Sequence, residues 1–282
     1  MTIKVWLLRS FLALALCVLA GCASSPLQGP GKTRSDALLQ QQFSLADQQR
    51  RAKPQGRVIY AGFAMHSQSR AFRADVVAVE KALTALNPAA IVFKLDNPVL
   101  GQVADWPYAT LENMASVLRQ VATLARAQDK VVILLSTHGN VDMLGVNFDN
   151  KFYPYVDSRW LNQALAGLRD KPTLLLLSAC FSGSFIEPLS SPSRVILTAA
   201  AKDRSSFGCQ FESTNTYFVD ALFNQSALQD WSVVQLMERA KVSIDARERG
   251  MKLSPSSLPQ TFVGNAARAW ANQPLWSWLP TP

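Results

Sequence analysis

Three stretches of this sequence are almost continuous apolar runs: KVVILLS at 130–136, TLLLLSA at 173–179 and RVILTAA at 194–200. Each has the length of a β-strand, and none alternates polar and apolar residues as a half-exposed strand does. Strands of this kind are buried on both faces, as in a parallel sheet covered by helices. The sequence therefore predicts an α/β fold with a buried, mostly parallel sheet.

Helical patterns separate these strands, because the intervening segments carry apolar residues three or four positions apart. Further strands are predicted at 57–63, 90–95 and 260–264, a hairpin at 143–156, and helices at 74–86, 111–125, 160–168, 215–224 and 232–248. Strand and helix alternate throughout. We therefore expect one α/β/α sandwich around a mostly parallel sheet of about six strands.

The composition agrees with a globular fold. Of the 282 residues, 49% are hydrophobic, which is enough for one sizeable core. The formal net charge is +8, but the basic residues are scattered and form no stripe. Nucleic acid is therefore not an expected partner.

The first residues predict a secretory signal. Lys4 and Arg9 accompany an apolar run over 11–19, which is too short to span a bilayer stably. The run ends in LAGC, which resembles the lipobox of bacterial lipoproteins. The resemblance implies a signal peptide over 1–21 and lipid on Cys22 that anchors the protein in the membrane. By the sorting rule of such lipoproteins, the next residue, Ala23, implies the outer membrane and a protein that faces the periplasm. A general secretory leader is the alternative.

The segment 22–55 is rich in Gln, Ser, Pro, Gly and Arg and shows little apolar periodicity. This composition predicts a flexible, lipid-anchored tether with a short helix over 36–49. The folded domain is expected over 56–270, followed by a short tail over 271–282. We expect Trp270, Trp276 and Trp278 to pack the tail onto the domain.

Two cysteines remain for the folded domain, Cys180 and Cys209, because Cys17 lies in the leader and Cys22 carries lipid. The compartment tends to oxidise thiols, so a disulfide between them is one alternative, and it would make Cys180 structural. Two His and two Cys at unrelated spacings do not suit a structural zinc site. We therefore expect neither a metal nor another cofactor.

Two polar segments follow buried strands. THGN, residues 137–140, follows the strand at 130–136, and Cys180 follows the strand at 173–179. One crossover joins these strands, so we expect them to be neighbours about 5 Å apart, with His138 and Cys180 at one shared edge. An imidazole beside a thiol stabilises the thiolate, which is the nucleophilic form.

Gly139 contributes a further group at this edge. Without a Cβ, its N–H can approach a substrate carbonyl closely, and together with the N–H of Cys180 it would form an oxyanion hole. The alternative is that Cys180 is an inert core residue and His138 a loop residue with satisfied hydrogen bonds. His66 also follows a strand, and it either lines the same cleft or lies on the surface.

The order of these residues excludes two types of hydrolase. The α/β-hydrolases and the papain-like enzymes need a His after the nucleophile, whereas His66 and His138 both precede Cys180. An upstream His and a downstream Cys, each after a buried strand, are the arrangement of the caspase-like cysteine peptidases.

Within that clan the sequence resembles the legumain family, peptidase family C13. The resemblance covers residues 57–225 and is carried by VVILLSTHGN, LLLLSACFSGSF and LTAAAKDRSSFGCQFESTNTYFVDAL, in that order. It implies a caspase-like fold, with Cys180 as the nucleophile, His138 as the general base and acid, and Gly139 and Cys180 as the oxyanion donors. It also implies a peptide or protein substrate and a thioester acyl-enzyme.

The same resemblance predicts the substrate-binding residues, which are Ser178, Ser205, Ser206 and Asp220. A serine hydroxyl and a carboxylate together would recognise an amide side chain, so cleavage after Asn or Asp is the implied specificity.

The chain departs from the family pattern near the proposed site. The family has Glu at the position of Ser178, Arg-His at the positions of Ala71 and Phe72, and at the position of Ser69 an Asn that orients the catalytic His. Arg70 and Arg73 lie close to these positions in the sequence and are the candidates to take over the roles of the missing family residues.

Three functions therefore stay open. The first is a lipid-anchored cysteine endopeptidase of the bacterial envelope. The second is a transpeptidase or transamidase that resolves the same acyl-enzyme with an amine. The third is a non-catalytic envelope lipoprotein that binds a partner. The sequence makes no prediction of the oligomeric state.

Overall fold

The computed structural model describes residues 30–52, 57–99, 101–148 and 151–279. Outside these ranges lie the predicted leader, the lipidation site Cys22 and the turn of the predicted hairpin, Asp149 and Asn150. In the described ranges, no helix is both long and apolar enough to cross a membrane.

Six of the strands form one central sheet. In chain order, the strands are β1 (Val58–Ala64), β2 (Ile91–Asp96), β3 (Lys130–Ser136), β4 (Gly139–Asn140), β5 (Met143–Leu144), β6 (Asn147–Phe148), β7 (Lys151–Phe152), β8 (Thr173–Ser178), β9 (Arg194–Thr198) and β10 (Gln260–Val263). The sheet has the order β10-β9-β8-β3-β1-β2, and its strands are parallel except for β10. The predicted sheet is therefore confirmed, and the arms of the predicted hairpin pair as β6 and β7.

Helices cover both faces of this sheet. They are α1 (Pro30–Ala52), α2 (Arg70–Leu86), α3 (Leu111–Leu124), α4 (Ser158–Ala164), α5 (Ile186–Leu189), α6 (Tyr217–Phe223), α7 (Val233–Gly250) and α8 (Arg268–Ala271). One apolar core includes side chains of α1, α3, α4 and α5, and a second core includes those of α2, α6, α7 and α8. The fold is the expected α/β/α sandwich.

Burial on both faces explains the continuous apolar strands. In β8, Leu175 and Leu177 lie in the first core, whereas Leu174 and Leu176 lie in the second. Successive side chains of a strand point to opposite faces, so a strand between two helical layers has no face left for polar residues.

Helix α1 corrects the prediction of a flexible tether over 22–55. Leu39 is buried in the first core, the side chain of Gln42 exchanges two hydrogen bonds of 3.0 Å with the backbone of β2, and Arg50 forms a buried ion pair with Asp129. Polar side chains make many of these contacts, so the segment shows no apolar stripe in the sequence. The described part of the segment, 30–52, is a helix of the domain.

The C-terminal tail predicted over 271–282 packs on the domain as far as it is described, up to residue 279. Leu275 and Trp278 are buried in the second core, and the rings of Trp270 and Trp278 are in edge contact at 5.7 Å. The predicted packing is confirmed for these two tryptophans, whereas Trp276 is exposed.

Candidate active site

The register of the sheet places three chemically active side chains in one row. The last paired positions of β1, β3 and β8 lie opposite one another, with Ser136 in the middle. Two residues beyond these positions stand His66, His138 and Cys180, in that order. Backbone hydrogen bonds of 3.0 and 3.1 Å continue the pairing past the ends of the strands. Because adjacent strands lie about 5 Å apart, His138 has a neighbour on each side.

Cys180 carries a half-buried thiol beside a hydrogen-bond donor. The backbone N–H of Ser206 donates to its Sγ at 3.2 Å, and the Ser206 hydroxyl lies 3.6 Å from the same atom. The same sulfur lies 3.5 Å from the carbonyl oxygen of Ser206, to which the thiol can donate. Cys180 and Cys209 are both free thiols, so the alternative of a disulfide is wrong. Burial, followed by the neighbouring Cys180, raises the pKa of the Cys209 thiol, which therefore stays protonated.

The turn after the cysteine connects the strand end to the loop that carries Ser206. Phe181 has a φ of 56°, in the left-handed region of backbone conformation that residues other than glycine rarely adopt. Its N–H donates to the carbonyl of Arg204 at 2.7 Å, and its carbonyl accepts from the hydroxyl of Ser184 at 2.7 Å. The bond to Arg204, together with that of the Ser206 N–H, joins the 204–206 loop to the turn and to the sulfur.

The imidazole of His138 is enclosed by two other rings. Its centroid lies 4.6 Å from that of His66 and 5.0 Å from that of Phe72, and both contacts are edge-to-face at 88°. Burial lowers the pKa of His138. Burial and the neighbouring His138 lower the pKa of His66 to about 4. Both rings are therefore neutral near pH 7, and His138 is available to accept a proton.

Gly139 packs directly on the backbone of the cysteine. A Cβ at this position would be in hard contact with the carbonyl oxygen of Cys180 and 3.0 Å from the Cβ of Ala179. The absence of a side chain is thus what lets the segment after β3 approach the end of β8 closely.

A buried carboxylate, which the sequence analysis missed, lies beneath the row. Asp75 of α2 is fully buried and accepts hydrogen bonds from Ser136 at 2.7 Å, from the hydroxyl and N–H of Thr216 at 2.8 and 2.9 Å, from Asn215 at 3.1 Å and from Ser178 at 3.3 Å. Burial raises its pKa to about 6, while the hydrogen bonds oppose this shift. Asp75 therefore ties the ends of β3 and β8 to the start of α6. The sequence did contain a signal for this buried carboxylate, because Asp75 lies on the apolar face of the helix predicted over 74–86.

This chain is similar to known proteins in sequence and in structure. The family model described as the Peptidase C13 family matches residues 110–256, which is more than half of the chain. The chain belongs to the peptidase C13 family. No curated protein matches the sequence. Among solved structures, caspase-1 from Spodoptera frugiperda is similar, with 16% sequence identity and a TM-score of 0.49 over 74% of this chain and 86% of that chain. The assignment of the fold rests on the strand order and register described above.

Of the four predicted substrate residues of this C13 protein, Ser206 lies beside the sulfur of Cys180. The adjacent Ser205 is exposed. Ser178 is 1% exposed and bonds the hydroxyl of Thr216 at 2.9 Å, so its side chain lies beneath the site and does not face a substrate. Sequence position alone could not show that a Ser replacing the family Glu would turn into this buried network.

Asp220 is also placed elsewhere. Its carboxylate pairs with Arg247 of α7 at 3.2 Å and accepts a hydrogen bond from Asn224 at 2.6 Å. Both members of the ion pair are more than a third exposed. The described contacts of Asp220 are therefore with α7 and with the end of α6, and they do not include Cys180.

The residues at the start of α2 that depart from the C13 pattern make contacts of their own. Ala71 and Phe72 are buried, and Phe72 contacts His138, so a methyl group and an aromatic ring occupy the positions that match Arg and His in the family pattern. Ser69 caps α2 through the N–H of Ala71 at 3.2 Å and donates to the carbonyl of Gln210 at 3.2 Å. Its described contacts do not include His138.

The two candidate substitutes, Arg70 and Arg73, have other partners. Arg73 pairs with Asp96 at 2.7 Å and with Asp105 at 2.8 Å, and Arg70 lies over the ring of Phe211 at 5.0 Å. Both arginines line a cleft of about 860 Å³ that runs along the outer face of α2. The cleft begins near the site but is not lined by the side chains of the catalytic candidates.

Proposed function

We propose that this protein is a cysteine endopeptidase that cleaves peptide bonds with Cys180 as the nucleophile and His138 as the general base and acid. The observation that carries the proposal is the placement of the two residues in register beyond neighbouring strands, with the N–H of Ser206 on the sulfur. Membership of the C13 family supports the same chemistry.

In the proposed reaction, neutral His138 takes the proton of the Cys180 thiol, and the thiolate attacks the substrate carbonyl. The N–H groups of Gly139 and Cys180 are the proposed donors to the oxyanion that forms. The carbon–nitrogen bond then breaks, His138 gives its proton to the leaving amine, and a thioester remains. Water, deprotonated by His138, attacks the thioester, and the proton returns to the sulfur as the carboxylic acid leaves.

The implied preference for Asn or Asp is a proposal that rests on Ser205 and Ser206 alone. The other predicted pocket residues have partners within the protein: Ser178 bonds Thr216 beneath the site, and Asp220 pairs with Arg247 of α7. The proposed location, on the periplasmic side of the outer membrane with lipid on Cys22, rests on the LAGC sequence.

A panel of fluorogenic peptides that differ in the residue before the scissile bond tests the proposal. We expect the wild-type protein to cleave a subset of the panel, and a Cys180→Ala preparation made in the same way to cleave none of it. Equal cleavage by both preparations would assign the activity to a contaminant.

The mass of the product separates hydrolysis from transfer. With an added amine, an endopeptidase gives the free acid, whereas a transpeptidase or transamidase gives the amide. A non-catalytic lipoprotein would cleave no peptide, and its Cys180 would not react with a peptidyl electrophile in a manner that depends on His138.

Gly139 provides a test of the close backbone approach. Gly139→Ala is expected to lower kcat about 10- to 100-fold, because the new methyl group would push the His138 segment away from Cys180. The loss of stability should be about 1–3 kcal/mol. Gly250→Ala is the matched control, since nothing lies within 4 Å of a Cβ there. Equal kcat for the two variants and the wild type would show that the approach does not matter for catalysis.

A further inference from the structure

His66 occupies the third place in the row of active side chains. It follows β1 by the same two residues by which His138 follows β3 and Cys180 follows β8. The sheet order β8-β3-β1 therefore puts His138 between the sulfur and a second imidazole. The resemblance to the family pointed instead to Ser69, whose described hydrogen bonds go to the backbone of α2 and to Gln210.

His66 is held firmly in this position. The side chain is 3% exposed, and its Nδ1 accepts a hydrogen bond from the N–H of Gln68 at 3.4 Å. Its backbone forms a β-bridge with Asn147, and the N–H of Ser67 donates to the carbonyl of Asn147 at 3.2 Å. A ring fixed by its own backbone can in turn fix a neighbour.

The contact between the two imidazoles restricts the rotation of His138. Their planes are at 88° with centroids 4.6 Å apart, and Phe72 closes the other side of the His138 ring at 5.0 Å. The His138 ring lies in a slot between the rings of His66 and Phe72. If it rotated out of this slot, it would collide with one of these two rings. His138 and Cys180 each stand two residues beyond the paired positions Ser136 and Ser178, so Cys180 is the next position of the row on the side away from His66.

We propose that His66 is a positioning residue, whose flat ring holds the imidazole of His138 toward Cys180. This inference rests on the proposed function, in which His138 deprotonates the thiol. A misplacement of about 1 Å of a catalytic group costs roughly 100-fold in rate, so a ring that prevents it has a measurable effect.

The test replaces His66 with Leu, which fills a similar volume without a flat ring, and with Phe, which restores one. The first readout is kcat and KM on a cleaved peptide. The second is the rate at which iodoacetamide alkylates Cys180, read by mass spectrometry of the peptide that contains it, because this small reagent needs no substrate pocket. Met65→Ala is the control for a loosened strand end, since Met65 is buried next to His66 in the chain.

We expect His66→Leu to lower kcat and the alkylation rate about 10-fold or more, with KM within about twofold, and His66→Phe to recover most of both rates. Wild-type rates in His66→Leu, a loss no larger than that in Met65→Ala, or a His66→Phe variant as slow as His66→Leu would each overturn the proposal. If His66→Leu does not fold, His66→Gln replaces it in the same comparison.

The alkylation rate also separates this inference from the proposed function. If Cys180 of the wild type reacts no faster than Cys180 of the His138→Ala variant, the proposed activation of the thiol is wrong. If the wild type reacts faster and His66→Leu keeps that rate, the activation stands and only the positioning role fails.

Discussion

Replacing Cys180 or His138 with Ala is expected to lower the rate of peptide cleavage by about 10⁴-fold or more. Without the sulfur no thioester forms, and without the imidazole of His138 the thiol loses the proposed base next to it in the row. Both side chains are only half-buried, so thermal unfolding should change little. The measurement is kcat/KM on the best peptide of the panel, alongside the thermal unfolding midpoint.

Cys209→Ser is the matched control for the cysteine. Burial raises the pKa of this second thiol, so it is not expected to act as a nucleophile, and its substitution should leave kcat/KM within about threefold. Cleavage that survives in Cys180→Ala, or that disappears in Cys209→Ser, would contradict the assignment of the nucleophile.

Asp75→Ala is expected to have the largest effect on stability. The substitution leaves the buried donors of Ser136 and Thr216 without their acceptor, at about 1–3 kcal/mol for each unsatisfied group. A loss of about 3–5 kcal/mol in the free energy of unfolding follows, measured by denaturant titration. We also expect kcat to fall, because Asp75 joins the strand ends that precede His138 and Cys180.

Glu80→Ala, on the same helix, is the control for this substitution. Glu80 pairs with Lys94 at 2.7 Å, with both side chains about one quarter exposed, and such a pair contributes about 0–1 kcal/mol. A similar loss in the two variants would show that the hydrogen bonds of Asp75 do not stabilise the junction.

The pH dependence of stability isolates the charge of Asp75. Its pKa is about 6 in the folded protein against an ordinary value of 3.8, so the folded state binds the proton more tightly. The contribution of this carboxyl to stability is therefore highest below pH 4 and falls as the pH rises to about 6, by at most on the order of 3 kcal/mol. Asp75→Asn removes this titration. The wild type should lose stability relative to Asp75→Asn across the interval, and a constant difference would contradict the raised pKa.

The comparison with the variant is needed because other groups titrate in the same interval. Burial raises the pKa of Asp96 to about 6 as well, and its contribution has the same sign. Burial lowers the pKa values of His66 and His138, and their contributions have the opposite sign, since the unfolded chain binds those protons more tightly.

The helical layer on the first core was only partly predictable. The apolar stripe of α3 is clear in the sequence, and its predicted range of 111–125 agrees closely with Leu111–Leu124. The packing of α1 was not predictable, because Gln42 and Arg50 bind a strand backbone and a buried Asp that are far away in the chain. Polar contacts between distant segments leave no periodic pattern.

The predicted pocket shows the same limit at the level of single residues. Ser206 lies beside the sulfur, whereas Ser178 belongs to the buried network and Asp220 pairs with Arg247. A match to a position of the family pattern indicates where a residue lies along the backbone of the fold. The direction and partners of its side chain depend on neighbours that have themselves changed, such as Ala71 and Phe72.

The sequence by itself determined the sandwich and predicted that His138 and Cys180 follow neighbouring strands, because burial on two faces requires continuous apolar strands and parallel strands end at one edge. Only the tertiary structure decided that His66 completes the row and that Asp75 supports it from below. Both depend on the register between β1, β3 and β8 and on the packing of α2. Register is set by contacts between strands, which no single strand encodes.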